Sequence, residues 1–135
     1  MKKLNKQAVT VFNSMIALLG TQDSIKIDNA PGEFMYVSIE KLQSDVQITS
    51  CKFDIYSIAH YYEQNGDLCC DPDMTFAVCQ SDPMFIYPMT FQNSICYRQG
   101  IFEDGGVWKI NEKEQADEVS FANMWLKNIK FQQGL

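Results

Sequence analysis

Residues 53–76 read FDIYSIAHYYEQNGDLCCDPDMTF, and two structures compete for Phe53–Tyr62. As a strand, Phe53, Ile55, Ser57, Ala59 and Tyr61 share one face, and Asp54, Tyr56, Ile58, His60 and Tyr62 share the other. As a helix, Ile55, Ile58, Ala59 and Tyr62 fall on one side. Asn65-Gly66 suits a hairpin turn in the first case and a helix C-cap in the second. Aromatic and β-branched content, with a strand-like segment downstream, favours the strand. The helical alternative stays open on sequence alone. The expected partner strand is Met74–Gln80, after a turn at Asp71-Pro72-Asp73.

On the N-terminal side, Leu4, Ala8, Val11, Phe12, Met15, Ile16 and Leu19 recur in steps of three and four, which predicts a helix over 4–19 with Gly20 as its stop. From Ser24 the period shortens. Ile25 and Ile27 alternate with Lys26 and Asp28, Ala30-Pro31-Gly32 is a turn, and Phe34–Ile39 reads as a second strand. Leu42–Thr49 is a weaker strand signal. On the C-terminal side, Phe85–Phe91 is a strand in which Pro88 implies an edge position or a bulge. Ile95–Phe102 continues as strand, and Asp104-Gly105-Gly106 turns into Val107–Ile110. A final helix is expected over 112–132, with Ala116, Val119, Ala122, Leu126 and Ile129 as its apolar stripe and Phe121, Met124 and Trp125 widening it. Asp117 and Glu118 precede Lys127 and Lys130 along it, as the helix dipole favours. Helix, five to seven strands joined by short turns, then helix is an α+β order. The expectation is one domain over 1–135, a curved antiparallel sheet with both terminal helices on one face.

A chain of 135 residues with 46% hydrophobic and 21% charged content is of ordinary globular composition. Nine Phe, six Tyr and two Trp supply material for a core. The formal charge of −6 argues against non-specific nucleic-acid binding and against anionic membranes, both of which need cationic surfaces. No stretch is apolar for long enough to span a bilayer, and no cleavage signal follows Met15–Leu19. Cys51, Cys69, Cys70, Cys79 and Cys96 are odd in number and lie in apolar or strand-like contexts, which suits a reducing, cytoplasmic setting. No C-x-x-C pair exists, so no structural zinc is expected.

The region between Lys52 and Arg98 holds no Lys or Arg, but it holds Asp54, Glu63, Asp67, Asp71, Asp73 and Asp82 and the only histidine, His60. Within it, His60, Tyr62, Glu63, Asn65, Asp67, Asp71 and Asp73 are the candidate binding residues. An acid–base or metal role would need those carboxylates to converge on His60. The spacing does not match a calcium loop, and Asp71 and Asp73 equally serve as turn residues. Cys69 and Cys70 have acids rather than bases for neighbours, which opposes a reactive thiolate. No nucleophile elbow, phosphate loop, zinc-protease or dinucleotide motif occurs. Tyr56, Tyr61, Tyr62, Tyr87 and Tyr97, with Trp108 and Trp125, either complete the core or line a groove. No catalytic residue, metal or cofactor is assigned. The favoured reading is a non-catalytic interaction module that meets a protein partner through an acidic, aromatic-flanked hairpin. The alternative is a metal-dependent hydrolase or nuclease built on His60, Glu63 and Asp67.

The runs IAHYYEQNGDLCCDPDM (58–74), YPMTFQNSICYRQGIF (87–102) and FANMWLKNIKFQQG (121–134) resemble a bacterial domain family of unknown function. That family is associated with gut bacteria and with integrative and conjugative elements. The resemblance runs from about Ile55 to the end, and the N-terminal third carries little of it. It implies a mobile-element setting and a cytoplasmic location. It nominates no catalytic residue, and other residues are common in the family at the positions of Cys69 and Cys70.

Overall fold

The computed structural model describes residues 1–135. Helix α1 spans Lys6–Leu19. The Asn5 side chain caps it by accepting from the Ala8 N–H at 2.9 Å, and Gly20 ends it at φ 59°, a conformation that costs glycine little. Strands β1 (Ser24–Ile27), β2 (Val37–Ile48), β3 (Cys51–Gln64), β4 (Asp67–Cys79), β5 (Ile86–Gln92) and β6 (Tyr97–Gln99) follow. They form one six-stranded antiparallel sheet in sequence order. Strands β7 (Ile101–Asp104) and β8 (Val107–Ile110) pair only with each other. Helix α2 (Glu112–Gln133) closes the chain, capped by Asn111 and ended by Gly134 in the left-handed region. The α+β order and the sheet with helices on one face match the sequence expectation.

The ambiguous segment is a strand: Phe53–Tyr62 lies wholly inside β3. Its two faces divide the protein. Tyr56 and Ile58 join Val37, Ile39, Met74, Phe76 and Ile86 beneath the two helices, where Phe12, Met15, Trp125 and Leu126 cover them. The Phe12 ring packs edge-on against Phe76 at 5.0 Å and against Tyr56 at 6.0 Å. Each such side chain stabilises the fold by roughly 1.5–3 kcal/mol on burial. The opposite face carries Phe53, Ile55, Ala77, Cys79 and Met89, and the β7–β8 hairpin covers these with Ile101 and Trp108.

Four expectations are corrected. Phe34–Tyr36 is not strand; β2 begins at Val37 and runs through the weaker Leu42–Ile48 signal, absorbing its polar residues with register shifts between Lys41 and Val46. The partner of β3 starts at Asp67 rather than Met74, because Asn65-Gly66 is the turn and Asp71-Pro72 is a bulge within β4 opposite His60. Ile95–Phe102 is not continuous: it breaks at Gly100 and feeds a separate sheet. Met124 points to solvent at 51% exposure instead of widening the buried stripe of α2.

Pro88 sits beside a bulge at Met89, where β4 and β5 slip register. Beyond the reach of short β6, the free edge of β5 is satisfied piecemeal. Leu4 N–H donates to the Ile86 carbonyl (2.9 Å), Gln115 Nε2 to the Pro88 carbonyl (3.2 Å) and Gly100 N–H to the Met89 carbonyl (2.8 Å). This ties the N-terminus, β5 and α2 into one seam.

Candidate functional site

Helices shield one face of the sheet, and the β7–β8 hairpin shields only one end of the other. The rest of that second face is polar. Glu40, Ser57 and Thr75 stand opposite one another across β2, β3 and β4, and Thr75 Oγ1 hydrogen-bonds Thr90 Oγ1 at 2.6 Å. Alongside lie Ser38, Ala59, Asp73 and Gln92. Tyr36 and Tyr61 pack with centroids 6.3 Å apart, and Lys26 Nζ caps the Tyr36 ring at 4.1 Å.

The β3–β4 hairpin extends this surface. Sheet neighbours reach β3 only as far as His60 and β4 only as far as Asp73. Tyr61–Cys70 therefore project as a two-stranded ribbon with both outer edges unpaired. Asn65 (φ 53°) and Gly66 (φ 84°) form its tip, the pair of positive φ values that an Asn-Gly hairpin turn provides. Glu63, Asn65 and Asp67 are exposed there, and Leu68 is 62% exposed. Strand alternation puts Tyr61, Glu63, Leu68 and Cys70 on the open-sheet side, and Tyr62 and Asp67 on the helix side. Neither ion pair of the protein, Lys41–Asp54 or Lys109–Asp104, involves a ribbon acid.

The structure thus brings Tyr62, Glu63, Asn65 and Asp67 together on the ribbon and sets Asp71 and Asp73 at its root. His60 is elsewhere. It is 5% exposed, its Nδ1–H donates to the Tyr36 carbonyl at 3.0 Å, and its ring meets Trp125 edge-on at 5.5 Å. Burial holds its pKa below the ordinary value, against the opposing pull of the Tyr36 carbonyl and Asp71. His60 is a core residue beneath α2. Its ring lies on the helix side of β3, whereas Glu63 points to the other, so the two do not form an acid–base pair. No three His, Cys, Asp or Glu side chains gather closely enough to hold a metal ion.

Asp73 is half-buried on the open face, with Oδ1 shielded from water and unpartnered. Burial raises its pKa, and Glu40 adds to the rise. The same surroundings raise the pKa of Tyr61 and of the Cys70 thiol, chiefly through burial, with Asp73 contributing to both. Cys70 is therefore the reverse of an activated nucleophile.

A family model described as Domain of unknown function (DUF6908) matches residues 3–135. The chain belongs to this family. The DUF6908 match takes in helix α1 and strands β1 and β2, so the N-terminal third belongs to it as fully as the rest. No curated protein and no solved structure matches the chain. None of the helices of this DUF6908 chain is long and apolar enough to cross a membrane.

A second cluster escaped the sequence reading. Glu118 on α2 is 2% exposed, and neither carboxyl oxygen has a hydrogen-bond partner. It lines a cleft of about 90 Å³ with Phe91, Arg98, Glu114, Asp117 and Phe121. Burial is the main cause that pushes its pKa up to about 8; Glu114 adds to the rise, while the Gly100 backbone and Arg98 oppose it. The signal was present in the spacing. Gln115, Glu118, Ala122, Trp125, Leu126, Ile129 and Gln133 are all buried and follow one another at helical intervals along a single stripe.

Proposed function

We propose that this DUF6908 domain is a non-catalytic protein-binding module, and that its contact element is the projecting acidic ribbon with the open sheet face behind it. The observation that carries this reading is the ribbon's unpaired outer edges and unpartnered acids. Tyr61–Cys70 pairs with nothing beyond itself, and its acids have no cationic partner. A ribbon kept only for stability would be short or packed, because unpaired strand edges invite association. Glu63, Asp67, Asp71 and Asp73 present negative charge, Tyr61, Tyr62 and Leu68 present apolar surface, and the free edges present backbone donors and acceptors. That combination suits a basic protein surface that adds an extended segment.

The setting we infer is an accessory protein of a mobile genetic element acting in the cytoplasm. The resemblance in residues 58–74, 87–102 and 121–134 supports the first part, and the absence of any disulfide among the five free cysteines suits the second. Affinity capture from source cells tests the binding reading. The same partner should be held by the wild type and by a variant reversed at the distant, exposed Glu112, and lost when Glu63 and Asp67 are both changed to Lys. Equal capture by all three proteins would refute it.

A further inference from the structure

The Glu118 cleft lies apart from the ribbon, at the junction of α2, β5 and β6, and its composition is unusual for a helix–sheet seam. Its floor is a carboxyl group shielded from water with neither oxygen hydrogen-bonded. Glu114, one turn earlier on α2, has its own Oε2 shielded and unpartnered. Asp117 joins them on the same wall. The rest of the lining is aromatic: Phe91 of β5 and Phe121 of α2 meet edge-to-face with centroids 5.1 Å apart. The one cation is Arg98 on β6, which is exposed and makes no ion pair with any of the three acids.

Leaving a carboxyl group buried without partners destabilises a fold. A leucine at 118 would fill the stripe of α2 without that cost. The backbone also keeps the carboxyl in place. A side chain at position 100 would run into Glu118 Oε1 and come within 2.7 Å of Gln115 Cα, so Gly100 leaves the space that Glu118 occupies. Gly100 N–H donates to the Met89 carbonyl at 2.8 Å, and its amide only partly offsets the burial of the carboxyl.

We propose that this cleft is a binding site for a small primary ammonium ion, with Glu118 as its main anchor, Glu114 as a second acceptor, and the Phe91 and Phe121 rings packing on the alkyl part. Three acids against one arginine select a cation over an anion. The carboxylates are strung along a helix rather than converged as a metal shell, which selects an organic cation over a metal ion. An ammonium head carries N–H donors that the two orphaned carboxyl groups lack, and aromatic faces favour an adjacent cation.

The test uses n-butylammonium on the full chain, with Glu118→Gln as the variant. Near pH 8, n-butylammonium at about ten times its Kd should raise the Tm of the wild type by roughly 4 °C and leave Glu118→Gln unmoved. Calorimetric titration of the wild type near pH 7, in two buffers of different ionisation enthalpy, supplies a readout that does not depend on the variant folding. Because free Glu118 is mostly protonated there, binding should release close to one proton per site. No shift in the wild type, an equal shift in Glu118→Gln, or binding without proton release would each overturn the proposal.

Discussion

Gln115 and Lys2 are joined by two reciprocal hydrogen bonds: Lys2 N–H donates to Gln115 Oε1 at 2.8 Å, and Gln115 Nε2 donates to the Lys2 carbonyl at 2.7 Å. The side chain of α2 imitates a neighbouring strand and holds the N-terminal segment along the edge of β5. Gln133 does the same at the other end of α2, accepting from Asn29 N–H at 2.7 Å and donating to the Met35 carbonyl at 3.0 Å. Both glutamines are nearly fully buried, so their amides cannot fall back on water.

Replacing Gln115 with Ala strands the buried Pro88 carbonyl and frees the N-terminus. The expected loss is roughly 1–3 kcal/mol. Urea denaturation should show it as a lower midpoint with unchanged slope, and amide exchange at Leu4 should speed up.

Gly100→Ala should be more damaging than its conservative size suggests. The added Cβ would meet the Cα and Cβ of Gln115 at 2.7 and 2.8 Å, and helix backbone cannot yield as a side-chain tip can. Overpacking of this kind costs roughly 1–3 kcal/mol. Gly105→Ala is the control. Its φ of +62° makes it mildly strained, but nothing lies within 4 Å, so a cost of about 1 kcal/mol is expected. Equal denaturation midpoints for the two variants would contradict the close approach of Gly100 to α2.

Glu118 should make the protein less stable as the solution becomes alkaline. Its folded pKa of about 8 stands above the ordinary 4.5, so between those values the folded state holds a proton that the unfolded state has lost. Stability from this group is complete below 4.5, falls as pH rises toward 8, and is level beyond. The whole change is on the order of a few kcal/mol. Glu118→Gln should abolish that slope, and Tm measured across the range checks it.

His60 works in the opposite direction. Its folded pKa is held below the ordinary 6.5, so on acidification the unfolded state takes up the proton first. Its contribution is therefore present above 6.5 and lost as pH falls through the folded value. His60→Gln should lose less stability than the wild type as pH falls below 6.5, as read from urea midpoints.

Much of the fold was legible because local signals agreed with tertiary packing. The stripe from Leu4 to Leu19 is buried as its spacing implies, and Asn65-Gly66 forms the hairpin turn that its flanking alternation calls for. The misreadings share a physical cause. Asp71-Pro72 has turn chemistry, but the same chemistry serves a bulge, and only the pairing of Ala59 with Asp73 and of Tyr61 with Cys70 separates the two. Phe34 and Tyr36 have strand propensity, yet the chain is still leaving the Ala30–Phe34 turn there, where Phe34 N–H bonds the Ala30 carbonyl at 3.2 Å. His60 is a lone histidine among acids in the sequence, and strand alternation sends it to the helix side of β3. Glu118 is hard to single out in the sequence, because a glutamate early in a helix reads as a dipole complement. Its place on the buried stripe becomes decisive only once Gly100 and β5 are seen against it.

The most direct measurement of the binding account places a photo-crosslinking residue at Leu68, on the ribbon, and separately at Phe131, which is 82% exposed on α2. The account predicts one discrete adduct from position 68 in source cells, none from 131, and loss of the adduct when Glu63 and Asp67 are both changed to Lys. Adducts of equal yield from both positions, or an adduct at 68 that survives the charge reversal, would contradict it.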